Sequence, residues 1–128
     1  MARQAISTDK APSAIGAYSQ AVRCGQTVYL SGAIPLVPET LEKVSDDVRT
    51  QIEQVFTNLL AVCEAAGGSF DDVVKLNVYL TDLADFPLVN EVMNERFTQP
   101  FPARAAIGVS QLPKDVVVEV EGIMHLGA

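Results

Sequence analysis

Apolar residues recur at Val48, Ile52, Val55, Phe56, Leu59, Leu60, Cys63 and Ala66, the 3.6-residue rhythm of a helix with one oily stripe. Ser45 stands as its N-cap with Asp46 and Asp47 in the first turn, where carboxylates suit the helix dipole, and Gly67-Gly68 stops the run. The polar side, Arg49, Glu53, Gln54, Thr57 and Glu64, is expected to face water. Downstream, Val74, Leu76, Val78 and Leu80 alternate with Lys75, Asn77, Tyr79 and Thr81, a strand with one oily face. An amphipathic helix among such strands has to bury its stripe against a sheet.

The rest of the chain follows that plan. Residues 2–7 form a short edge strand, and residues 21–24 and 27–30 form strands about Gly25-Gln26, a hairpin signal. Between them, Tyr18 follows the flexible Gly16 and is either a packed residue or a ligand contact. The second strand runs into Ser31-Gly32, where a hydroxyl followed by glycine lets a ligand approach main-chain N–H groups. A second helix spans residues 86–97, with Pro87 tolerated in its first turn and Phe86, Val89, Met93 and Phe97 as its core stripe. Asn90 sits in that stripe, so its amide needs a partner from main chain or ligand. The order ββ-α-β-α-ββ predicts an α+β fold with both helices on one face of a mixed six-stranded sheet, in a single domain covering residues 1–128.

Residues 102–121 carry the chemistry. Two period-two segments flank Leu112-Pro113-Lys114-Asp115, which predicts a β-hairpin with Gln111 opposite Val116. In that register Arg104, Ala106 and Gly108 share a face with Val117, Glu119, Glu121 and Ile123. Ala103, Ala105, Ile107, Val109, Val116, Val118, Val120 and Met124 form the opposite, wholly apolar face. Arg104 and Glu119 would then stand about 13 Å apart along one sheet face and bracket a small molecule. That face, with Lys75, Asn77 and Tyr79, lacks cover in a monomer, and self-association would bury it.

Composition closes off other classes. Nine Lys plus Arg against sixteen Asp plus Glu give a net charge of −7 with no basic cluster, which disfavours nucleic acid as principal ligand and adhesion to an anionic membrane. Apolar runs fall short of a bilayer span and no apolar signal segment opens the chain, so a soluble cytoplasmic protein is expected. Cys24 and Cys63 match no metal or redox spacing and are expected to be buried, reduced thiols. His125 has no second histidine beside it, so no metal site is expected.

Several stretches taken together resemble the reactive intermediate deaminase (RidA, YjgF-like) family. They are Ala11-Pro12, Ile15-Gly16-Ala17-Tyr18-Ser19-Gln20-Ala21, Leu30-Ser31-Gly32-Ala33-Ile34-Pro35, Thr81-Asp82-Leu83-Ala84-Asp85-Phe86, Val89-Asn90, Pro102-Ala103-Arg104, Leu112-Pro113-Lys114-Asp115 and Val118-Glu119-Val120-Glu121. The resemblance implies a chorismate-mutase-like fold and a homotrimer with small-molecule clefts between subunits. It also implies hydrolysis of 2-imino acids, such as 2-iminopropanoate and 2-iminobutanoate, to 2-keto acids and ammonia, with no cofactor and no metal. By the same resemblance Arg104 is the ligand of the substrate carboxylate and Glu119 the group near the attacking water, while Tyr18, Ser31, Gly32, Phe86 and Asn90 line or support the cleft. Ala106 stands where many relatives have Cys, and Ala17 where many have Pro, so any step needing a thiol two residues after the arginine is absent. Two other functions stay open: a non-catalytic 2-keto acid-binding or regulatory protein, and an RNA-cleaving translation inhibitor, which the acidic balance opposes.

Overall fold

The computed structural model describes residues 2–127. Helix α1 (Val48–Ala65) buries Ile52, Val55, Phe56, Leu59, Val62 and Cys63, as its periodicity requires. Its start is shifted from the expectation. Asp47, not Ser45, is the N-cap, its carboxylate accepting from the Thr50 N–H at 2.9 Å, whereas the Ser45 hydroxyl accepts from the Asp47 N–H one step earlier. Past the last turn Gly67 takes a φ of 95°, the left-handed conformation that ends helices without a Cβ clash.

Strands β1 (Gln4–Ile6), β2 (Ala21–Cys24), β3 (Thr27–Ala33), β4 (Val73–Leu80), β5 (Ala103–Gly108) and β6 (Val118–His125) make one mixed sheet in the order β1-β2-β3-β6-β4-β5. Helix α2 (Phe86–Arg96) opens with Pro87 in its first turn. One core joins α1 and α2 to Val28, Leu30, Leu76, Val78, Leu80, Val118, Val120 and Met124, so both helices cover the same sheet face. The polar side of α1 is not wholly solvated. Arg49 pairs with Glu95 of α2 at 3.0 Å and Glu53 with Arg96 at 2.9 Å, tying the helices together.

Residues 102–121 depart most from the sequence reading, because the hairpin does not form. Strand β5 pairs with β4 in parallel, with Leu76 opposite Arg104, Val78 opposite Ala106 and Leu80 opposite Gly108. Strand β6 lies on the other side of β4 and runs antiparallel to it, with Tyr79 opposite Glu119 and Asn77 opposite Glu121. The reason is the helix between β4 and β5, since a strand-helix-strand connection returns the chain parallel to its first strand. Val118, Val120 and Met124 are fully buried, so β6 takes a central position and the less apolar β5 goes to the edge. Pro113–Asp115 is a 3-10 turn, with Lys114 and Asp115 at φ of 57° and 61°, that carries the chain past the end of β4.

Faces change accordingly. Arg104, Ala106 and Gly108 share the helix-covered side with Leu76, Val78 and Leu80, whereas Glu119 and Glu121 share the open side with Tyr79 and Asn77. Ala103, Ala105 and Ile107, expected in the core, lie on the open side, where Ile107 and Tyr29 are exposed. A register shift between Val73 and Lys75 buries Val73 and exposes Val74, reversing the alternation at that end of β4. Cys63 is buried, but Cys24 is exposed, contrary to expectation. Among the described residues no helix is long and apolar enough to cross a membrane.

Candidate functional site

Three of the expected site residues meet at the junction of α2 and β5. The Arg104 guanidinium donates to the Asn90 side-chain oxygen at 2.7 Å and lies over the Phe86 ring, 4.6 Å from its centroid. It also approaches the Met93 sulfur at 3.5 Å. Phe86 and Asn90 are one helical turn apart on α2, so they present a ring and an amide to one cation on the neighbouring strand. Asn90 thus finds the partner its place in an apolar stripe demands. Among the described residues Arg104 forms no ion pair with a carboxylate, and it lines an open cavity of about 340 Å³ with Phe101 and Pro102. A guanidinium oriented by neutral groups and facing space retains donors for an anionic ligand. Ala106, on the same side, packs against the core and lines neither cavity.

The other four gather elsewhere. Tyr18, Ser31, Gly32 and Glu119 line a second cavity, of about 460 Å³, between the loop before β2 and the ends of β3 and β6, with Lys114 at its edge. The pairing of β3 with β6 breaks between Leu30 and Ala33, so neither Ser31 nor Gly32 has a partner on β6. The Ser31 hydroxyl donates to the Ser19 carbonyl at 2.5 Å. A Cβ at position 32 would meet the tip of the Glu119 side chain, so glycine there lets that carboxylate lie against the β3 backbone. Burial pushes the Glu119 carboxyl above the usual range, and the Glu121 carboxylate adds to the effect. Tyr18 is exposed, so its ring is a cavity wall and not a packed core residue.

Two residues that position this second group escaped the sequence reading. Gln51 and Asn58 on α1 are each 1% exposed. The Gln51 amide donates to the Ser45 carbonyl at 2.9 Å and accepts from the Val117 N–H at 2.8 Å, two residues before Glu119. The Asn58 amide donates to the carbonyls of Ile34 and Leu36 at 3.1 and 2.9 Å, just beyond Gly32. Helix α1 therefore grips both strand ends that carry the cavity. The signal was available: these two amides, seven residues apart, fall on the flank of the apolar stripe. Gln20, also buried, does the same for the Tyr18 loop by bonding Thr8 and Pro12.

Residues 8–126 match the family model described as endoribonuclease L-PSP. A protein of Dermatophagoides farinae named 2-iminobutanoate/2-iminopropanoate deaminase is 49% identical over 95% of both chains. The crystal structure of RidA from an Antarctic Psychrobacter superposes with a TM-score of 0.93 at 55% identity, covering 96% of this chain and 99% of that one. The chain belongs to the RidA family. A human protein with the same deaminase name is 44% identical over 98% of this chain and 91% of its own.

In this RidA-family chain the expected residues form two separate half-sites. Arg104 and Glu119 do not bracket one small molecule within a single copy, because β4 separates their strands and their side chains leave opposite faces of the sheet. The Arg104 half presents a cation, and the Glu119 half presents a carboxyl beside the unpaired backbone of Gly32. Each half offers what the other lacks.

Proposed function

We propose that this chain hydrolyses reactive 2-imino acids, or their enamine tautomers, to 2-keto acids and ammonia, in clefts between the copies of a cytoplasmic homotrimer. The observation that carries the reading is the Arg104 guanidinium, oriented by Asn90 and Phe86, committed to no described carboxylate and facing a cavity. Its planar fork matches a carboxylate through two charge-assisted hydrogen bonds, a match that a lysine cannot reproduce. Glu119 of an adjoining copy accepts a proton from water as the oxygen adds to the C=N carbon. That proton passes to nitrogen to give the carbinolamine; its hydroxyl proton then moves through Glu119 to the nitrogen as the carbonyl forms and the C–N bond breaks, and ammonia leaves the 2-keto acid. The main-chain N–H of Gly32 polarises the electrophile, the Ser31 N–H being bonded to the Gln20 carbonyl at 3.0 Å, and Tyr18 closes the cleft. The uncatalysed barrier is low, so orientation and proton transfer are sufficient help.

The family description also names an endoribonuclease, but a net charge of −7 opposes binding to a phosphate backbone. The test mixes the protein with a threonine dehydratase and follows ammonia release from 2-iminobutanoate. Release that accelerates in proportion to added protein is the expected result. Binding of 2-ketobutanoate without acceleration would leave only a ligand-binding module.

A further inference from the structure

Glu119 and Glu121 stand two positions apart on β6, so they share the open face with their Cα atoms about 6.6 Å apart. Their surroundings differ sharply. One oxygen of Glu121 accepts from the Tyr79 hydroxyl at 2.6 Å and from the Asn77 amide at 3.1 Å, both on the neighbouring strand. Glu119, half-buried, accepts a hydrogen bond from no described residue. We propose that Glu121, clamped by Tyr79 and Asn77, is a positioning residue of the deamination site: it keeps a fixed negative charge beside Glu119 and so makes Glu119 the carboxylate that holds the transferable proton. This rests on the deaminase reading.

The charges around the pair point the same way. From β4 the facing groups are Tyr79, opposite Glu119, and Lys75, opposite Ile123 and therefore beyond Glu121 on the side away from Glu119. That ammonium lies nearer in register to Glu121 than to Glu119. From β3 the titratable group on this face is Tyr29, two strand positions further along, and β5 offers only Ala105 and Ile107. Lys114 borders the Glu119 cavity, but its ammonium donates to the Leu41 carbonyl at 3.2 Å. Two hydrogen bonds and the nearer cation engage the Glu121 carboxylate, and its charge opposes a second one at Glu119. Tyr79 keeps its own proton because of the same contact, its hydroxyl pushed up to about 12. Two like groups whose environments drive them apart divide the labour of proton transfer. The Glu119 carboxylate takes a proton from the attacking water, and the carboxyl so formed gives it to the departing nitrogen.

The test follows the side-chain carboxyl carbons of 13C-labelled glutamate by NMR through a pH titration, in the wild type and in Glu121→Gln, with Glu119→Gln to assign the signal. The amide of Glu121→Gln still accepts from Tyr79 and Asn77, and a thermal melt checks that the variant is folded. The Glu119 midpoint is expected to fall by roughly half a unit to one and a half units when the neighbouring charge is removed. The acid limb of kcat/KM should move down by the same amount, which a merely structural role for Glu121 would not cause. An unmoved Glu119 midpoint overturns the proposal. A moved midpoint with an unmoved acid limb overturns the catalytic assignment of the pair. Failure of the deaminase reading itself shows in the wild type alone, as ammonia release no faster than without protein.

Discussion

Arg104 is exposed, yet its position is set by an amide at 2.7 Å and a ring at 4.6 Å. Neither partner is charged, so the side chain keeps its full charge for a ligand. Replacing it with alanine should lower kcat/KM by about two to three powers of ten, the loss of two hydrogen bonds to a charged group, and leave the melting temperature nearly unchanged. Arg104→Lys should restore only part of the activity. Full turnover by the alanine variant in the dehydratase-coupled assay would remove the anchor role. Glu119 carries the opposite burden, because burial raises its carboxyl above the unfolded value. The associated stability is present below the ordinary carboxylate range and is lost as pH rises through the raised value. Glu119→Gln should therefore melt higher than the wild type at pH 7, with the difference vanishing in acid, while turnover falls. A melting difference that does not depend on pH would show that desolvation is not the cause.

At the scale of elements, α1 does more than fill the core. Asn58→Ala would leave the buried Leu36 carbonyl unpaired and remove one of two bonds to the Ile34 carbonyl, at a cost of roughly 1 to 3 kcal/mol in urea unfolding. It should also disturb the Ser31-Gly32 end of β3. Within the same helix burial pushes the Cys63 thiol to about 12, so a thiol reagent should modify exposed Cys24 in the native protein and reach Cys63 only after unfolding. Rapid native labelling of both would contradict the packing. The helices were legible in the sequence because a 3.6-residue stripe is a local property, and Asn90 was legible because a polar group in such a stripe demands a partner. The pairing of residues 102–121 was not. Two period-two segments about a turn look alike whether they pair with each other or flank a third strand, and that choice depends on which is apolar enough for the centre of the sheet. A hairpin puts Arg104 on the face of Glu119, whereas the parallel pairing with β4 puts it on the helix-covered side. Gln51 and Asn58 went unnoticed because a buried amide that binds main chain has no partner visible in sequence.

For the whole molecule, the proposed reading makes a single copy incomplete, because Arg104 and Glu119 lie on opposite faces of the sheet. On that reading the sheet's open face, where Tyr29 and Ile107 are exposed beside the charged network, would receive another copy, and a closed ring of heterologous contacts would join each Arg104 half to a neighbour's Glu119 half. Specific activity should then fall on dilution as the ring dissociates, whereas a self-sufficient monomer would show none of this dependence. Subunit complementation tests the claim most directly. Arg104→Ala and Glu119→Gln, each inactive alone, are unfolded together in equal amounts and refolded, and the mixture is assayed for ammonia release. Sites shared between copies predict recovery of about a quarter of wild-type activity, the fraction of random junctions that unite an intact arginine with an intact glutamate. A mixture as inactive as its parents would place both residues of each working site in one chain and contradict the account.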